Sequence, residues 1–243
     1  MSRPEDDFED QVKERSGWLI PLVVFLVTAA LSALVLVYYL APTAPELTKE
    51  LPAPSAETGR VDIVVGGTEF RIPANYLQFK SARGGGTRTQ IALYALLPDM
   101  RGYSPAQAKA FANNGPDSEV VNLLIREEKT SLPEKARVER IYLPQTTSQE
   151  GAEGPFGLRQ YTFGPESGYR DEELYVGETP DGPMALRCTR VGPTAPSPTC
   201  LRDMTISPGV ALSYRFKRAH LALWKELDEG VRTLIASFLR NDS

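Results

Sequence analysis

Cys188 and Cys200 are the only cysteines in the chain, and Gly192, Pro193, Pro196 and Pro198 lie between them. A cysteine pair that brackets a proline-rich excursion in an exported domain reads as a disulfide. Closing a loop of about a dozen residues would stabilise a fold by on the order of 3 kcal/mol in the chain-entropy account. Two reduced thiols are the alternative reading. A metal site is the third and weakest, because the next soft ligand, His220, lies twenty residues further on. His220 is also the single histidine, so any Ser-His-Asp or Cys-His mechanism would have to run through it. Its neighbours Arg215, Lys217 and Arg218 suit a surface or capping residue at a helix start.

The remaining polar clusters carry little chemistry. No Gly-x-Ser-x-Gly elbow, His-Glu-x-x-His helix or cysteine-rich ligand set occurs. The basic, glycine-rich run from Lys80 to Arg88, KSARGGGTR, lacks the Gly-Lys-Ser/Thr ending of a P-loop and reads as a surface loop. Glu166, Asp171, Glu172 and Glu173 lack the alternate spacing and turn glycine of a calcium loop. They read as a solvated acidic edge strand, protected from pairing by its charges. Arg215, Lys217 and Arg218 could meet lipid headgroups or an acidic partner, though the exposed edge of a strand–helix junction is the plainer account. No catalytic, cofactor-binding or metal-binding residue is assigned, and no cofactor is expected.

The longest-range signal is the run Trp18 to Leu40, 23 residues without a charge. As a helix it would extend roughly 34 Å, against a hydrocarbon core of about 30 Å, and Trp18, Tyr38 and Tyr39 would sit at its interfaces. The expectation is a transmembrane helix rather than a cleaved signal peptide, whose apolar core is shorter and whose cleavage site Tyr39, Pro42 and Pro45 would spoil. Thr28, Ala29, Ser32 and Ala33 form small-xxx-small pairs, a candidate helix-packing face, with ordinary anchor composition as the plainer account. Arg3, Lys13 and Arg15 precede the run and only Lys49 and Arg60 follow closely, which puts the amino terminus in the cytoplasm. The expected organisation is a cytoplasmic tail at 1–17, a span at 18–40, a proline-rich linker at 41–60 and a periplasmic domain at 61–243. The corresponding localisation is the bacterial inner membrane, single-pass.

Within the domain, Val61, Ile63 and Val65 alternate up to a Gly66-Gly67 turn, and Phe70 and Ile72 alternate on the return to Pro73. Further strands are expected at Gln90–Leu97, at Glu119–Arg126, in a hairpin of Glu173–Gly177 and Met184–Arg190, and at Val210–Phe216. Ser104 with Gln107, and Ser131 with Glu134, read as capping boxes of two short helices. A long helix is expected from about Arg218 to Leu239, with Leu221, Trp224, Leu227, Val231, Leu234, Ile235 and Phe238 as its buried face. The expected fold class is α+β, a mainly antiparallel sheet with the closing helix packed on it.

The arrangement resembles uncharacterised single-pass inner-membrane proteins of Gram-negative bacteria, which combine a short acidic tail, one anchor, a spacer and a modest exported domain. The segment Gly67-Thr68-Glu69-Phe70-Arg71-Ile72-Pro73-Ala74-Asn75-Tyr76 is similar to the opening hairpin of PsbP-like folds, and Leu234-Ile235-Ala236-Ser237-Phe238 to their closing helix. That resemblance implies a non-catalytic accessory or assembly role. The functional expectation is therefore a membrane-anchored periplasmic interaction domain of an envelope complex, with the lipid bilayer and another membrane or periplasmic protein as partners. The alternative is a periplasmic ligand-binding or hydrolytic domain acting through carboxylates. A formal net charge of −4 argues against a nucleic-acid partner.

Overall fold

Apolar residues at every second position mark most of the strands, and the computed structural model describes residues 17–40, 50–130, 132–179, 182–193 and 195–240. Two units result, Met1–Glu50 and Leu51–Ser243. The first holds helix α1 (Leu19–Leu40). The second opens with the hairpin of β1 (Arg60–Val65) and β2 (Thr68–Pro73), turned at Gly66 and Gly67, both at positive φ. A Cβ on Gly66 would lie 2.7 Å from the Gly209 carbonyl oxygen, so glycine is required there twice over. β3 (Gly86–Arg88) pairs with β1 in parallel, completing a three-stranded sheet ordered β2-β1-β3.

The larger sheet contains β4 (Gln90–Leu96), β5 (Val120–Glu127), β6 (Ala152–Glu153), β7 (Arg159–Thr162), β8 (Glu172–Thr179), β9 (Gly182–Thr189), β10 (Thr199–Ser207) and β11 (Val210–Lys217). Their order is β4-β5-β11-β10-β9-β8-β7-β6, antiparallel at every junction. Two short helices, α2 (Ala108–Ala112) and α3 (Glu134–Arg137), interrupt the strands, and a 3₁₀ turn (Arg218–Leu223) leads into α4 (Trp224–Phe238).

One face of the large sheet, here the inner face, buries Leu123, Ile125, Leu212 and Tyr214 with Leu227, Val231, Ile235 and Phe238 of α4. Ile63, Val65, Phe70 and Ile72 of the small sheet join the same core. A second cluster, Val138, Tyr142, Tyr161, Phe163, Leu174 and Ala185, forms on the outer face beneath the turn that follows α3.

The two halves of the large sheet meet at a narrow seam. β9 and β10 pair only through Cys200↔Cys188 and Leu201↔Arg187. The expected disulfide joins Cys188 to Cys200 at this seam, with their Cα atoms 3.9 Å apart. Removing it as the Cys188→Ser/Cys200→Ser pair is expected to cost about 3 kcal/mol, which lowers Tm by roughly 6–12 °C in a domain of this size. Thermal unfolding followed by circular dichroism checks this: reduced wild type should melt with the double variant, and coincidence of both with oxidised wild type would show the bridge to be idle.

Several expectations are corrected. Among the described residues no helix is long and apolar enough to cross a membrane. The described side chains inside α1, from Ile20 to Leu36, are all exposed. The single-pass helix at 18–40 and the single-pass inner-membrane placement therefore do not stand. The fold is a sheet-rich α+β domain with a C-terminal helix. The acidic tail up to residue 16, and residues 41–49 of the proline-rich stretch, lie outside the described residues.

Two local readings also change. The acidic strand is not an edge, because β8 is flanked by β7 and β9. Glu134 caps no backbone amide of its own helix, whose N-cap is Pro133; its carboxylate is taken by a distant arginine, described below. Ser131, the other half of that expected box, lies outside the described residues.

Candidate functional site

Strand alternation sends every second residue of β4, β5, β11 and β10 to the outer face, opposite α4. Ala92 and Tyr94, Asn122 and Leu124, Ser213, Arg215 and Lys217, and Leu201 and Asp203 point that way. The turn after α3 covers one end of this face. At the other end α2 and the segment Pro52–Pro54 form a wall. That segment is held by the Ala53 amide donating to Gln78 O (2.9 Å) and by Arg83 Nη1 donating to Ala53 O (2.7 Å). Between the walls lie two cavities of about 390 and 320 Å³ that share Gln78, Asn122 and Arg215, so they form one groove with a waist.

The waist is polar. Gln78 Nε2 donates to Asn122 Oδ1 at 2.9 Å. Arg215 sits between its register partners Asn122 and Leu201. It is exposed, and its guanidinium has no hydrogen bond or ion pair to any described residue. Towards α2 the groove becomes aromatic, with Phe111 edge-on to Tyr94 at 5.0 Å. The buried Tyr94 hydroxyl makes no hydrogen bond of good geometry, the Ser55 backbone being the group beside it, and burial pushes its ionisation upward. Lys217 is 8% exposed and donates to Asn114 O (3.1 Å), Asn114 Oδ1 (3.0 Å) and Ser197 Oγ (2.7 Å). Those acceptors satisfy all three ammonium protons but leave its charge without a counter-charge.

The acidic residues lie further along the same sheet, engaged by arginines. Arg187 pairs with Glu172 (2.8 Å) and Asp203 (3.5 Å) and lies over the rings of Tyr169 and Tyr142. Arg126 pairs with Asp203 (3.6 Å) and Glu128 (3.4 Å). Arg218 pairs with Glu173 at 2.6 Å, and the Tyr175 hydroxyl donates to the same carboxylate at 2.9 Å. Burial, and then that hydrogen bond, push the Tyr175 phenol up to about 12. Glu166 and Asp171 stay exposed. The expected basic group therefore divides three ways: Arg215 is free in the groove, Lys217 is buried, and Arg218 is an ion-pair partner.

The seam between the sheet halves holds a charge network that sequence reasoning missed. Arg202, on the inner face of β10, bonds Glu134 through Nε (3.1 Å) and Nη2 (2.8 Å), and Asp228 of α4 through Nη1. Glu134 Oε1 also accepts the Ala185 amide at 2.8 Å, a donor on the stretch of β9 that no longer faces β10. Asp228 further accepts Tyr214 Oη (3.0 Å) and Arg232 Nε (2.9 Å). Burial, reinforced by the Asp228 charge, drives the Tyr214 phenol strongly upward. The network ties α3 to α4 through the seam.

The other expected residues are accounted for locally. His220 Nε2 lies 3.0 Å from Ser118 O, fastening the last 3₁₀ turn to the loop before β5. Thr28, Ala29, Ser32 and Ala33 lie on the exposed helix α1, where Thr28 Oγ1 donates to Val24 O (2.6 Å) and Phe25 O (3.1 Å). The glycine-rich run folds as a 3₁₀ turn (Ser81–Gly84) followed by β3, with Arg88 donating to Ser81 O (2.5 Å) and Gly85 O (3.3 Å). Only the basic Arg215 and Lys217 gave any sequence signal for the groove. Gln78, Phe111, Asn122 and Leu201 reach it from four separate stretches of chain.

No family model matches the chain, and no curated protein matches it significantly. Among solved structures it is similar to Smlt3025, an immunity protein of the Stenotrophomonas maltophilia type IV secretion system. The TM-score is 0.54 with 20% identity, covering 76% of this chain and 94% of that one. It is also similar to the Neisseria meningitidis iron-regulated outer membrane lipoprotein FrpD, at TM-score 0.49 and 16% identity over 79% of this chain and 99% of that one. The first likeness shows a shared fold. It gives the PsbP-like resemblance no support, and that resemblance is set aside.

Proposed function

We propose that the domain is a non-catalytic, envelope-associated accessory protein of the immunity type, which binds a protein partner through the outer face of its large sheet. The observation that carries this reading is the open groove across β4, β5, β11 and β10. Its floor mixes half-buried Ala92, Leu124 and Leu201 with the free Arg215 guanidinium and the amides of Gln78 and Asn122, the composition of a recognition surface rather than of a core. The fold shared with an immunity protein supports it, since an immunity protein works by binding another protein. The disulfide suits it too, because such bridges persist in oxidising compartments. The carboxylate-enzyme alternative gains no support, because Glu134, Glu172, Glu173, Asp203 and Asp228 are all engaged by arginines.

Site-specific photo-crosslinking in cells tests this reading. A crosslinking residue at Leu124 or Leu201 is expected to give one discrete protein adduct, and none at Leu223, which is exposed away from the groove on the final 3₁₀ turn. Equal labelling at all three positions, or an adduct only at Leu223, would move the interface elsewhere.

A further inference from the structure

We propose that the waist of this groove receives a carboxylate, an aspartate or glutamate carried beside an aromatic residue on an acidic segment of the partner protein. The proposal rests on the outer face being the protein-binding surface. Arg215 is the anchor. Its guanidinium is exposed at the junction of the two cavities, uses none of its donors on the described chain, and can grip a carboxylate with two parallel hydrogen bonds. No aspartate or glutamate lines either cavity, so nothing in the groove competes for it. Asp203, beside Ser213 at the far end, is already engaged by Arg126 and Arg187. Lys217 adds a second positive charge that only neutral acceptors surround, so its field reaches into the cavity.

The neighbouring groups describe the rest of the occupant. Phe111, edge-on to Tyr94, presents an apolar wall on which an aromatic side chain can lie. The amides of Gln78 and Asn122 at the waist can pair with a peptide backbone. Two cations on a chain of net charge −4 do not make the long basic track that a nucleic acid requires. A short acidic peptide segment matches the charge and the mixed lining together.

Selection of random dodecapeptides on phage against the full chain tests the proposal. Wild type is expected to enrich Asp or Glu next to Phe, Tyr or Trp. Arg215→Glu should weaken the selected peptides about tenfold to hundredfold, the scale of one charge-assisted pair. Reselection on Arg215→Glu should enrich Lys or Arg instead. Because Arg215 has no partner in the fold, its substitution should leave the unfolding midpoint unchanged. Enriched peptides without an acid that still crosslink at Leu201 would overturn the carboxylate and leave the outer face as the binding surface. Peptides that crosslink away from the groove, or a selection that enriches nothing, would overturn both. Binding to phosphatidylglycerol vesicles that Arg215→Glu abolishes would replace the protein occupant by a lipid headgroup.

Discussion

Arg202→Ala is expected to cost about 3–5 kcal/mol, enough to unfold the domain partly at 37 °C. Arg202 is 1% exposed and its guanidinium is the shared partner of Glu134 and Asp228. Deleting it leaves two carboxylates close together at the seam, Asp228 buried and Glu134 mostly so, with only Arg232 beside Asp228 and no cation on Glu134 among the contacts above. The penalty is that of stranded charges and exceeds the net worth of the intact network. Arg202→Lys keeps the charge but cannot make the fork to Glu134 while also reaching Asp228, so its loss should fall between wild type and Arg202→Ala. Urea unfolding measures the stability, and hydrogen exchange locates the damage. Amides of β9 near Ala185 should exchange faster in the variant, because Glu134 then loses what holds it at the Ala185 N–H. A loss below about 1 kcal/mol would mean that the network decorates the seam without closing it.

Trp224→Ala carries the second large effect, about 3–5 kcal/mol from lost burial and the cavity left behind. Trp224 is 3% exposed at the start of α4, and its Nε1 donates to Phe156 O at 3.1 Å. Phe156 is one of two non-glycine residues at positive φ among the described residues, so the indole holds a backbone conformation that is intrinsically disfavoured. Gly177 lies beneath the ring: a Cβ there would come within 2.8 Å of Trp224 Cη2 and of Leu158 Cδ2. Trp224→Phe keeps most of the packing but orphans the Phe156 carbonyl, and should lose only about 1–2 kcal/mol. Thermal and urea unfolding compare the two variants. Normal folding of Trp224→Ala, together with loss of partner crosslinking at Leu201, would turn this helix face from core into interface.

Features governed by neighbouring residues were legible in the chain. The Gly66-Gly67 hairpin folds where alternation and turn chemistry place it, in register from Val61↔Ile72 to Val65↔Thr68. Six of the seven residues assigned to the buried face of the closing segment are buried, and Leu234 is half-buried. That segment starts as a 3₁₀ turn and becomes α-helical only at Trp224. β10 was not legible, because Arg202, Asp203 and Ser207 break the apolar alternation that marks a strand. Its polar residues fit a central strand only because Glu134, Asp228, Arg126 and Arg187 arrive from elsewhere in the chain.

The sequence by itself determined the local periods and the turns, since each depends on residues a few positions apart. Tertiary structure decided everything that depends on strand order. It set Cys188 against Cys200 at the seam and moved the acidic strand from an edge to the interior of the sheet. It turned Glu134 from a cap into the partner of Arg202, sixty-eight residues away. It also separated Arg215, Lys217 and Arg218, close neighbours in sequence, into a free anchor, a buried cation and an ion-pair partner. The physical reason is that a side chain's charge state and exposure are set by what packs against it, and in an antiparallel sheet those neighbours come from strands that the sequence does not place side by side.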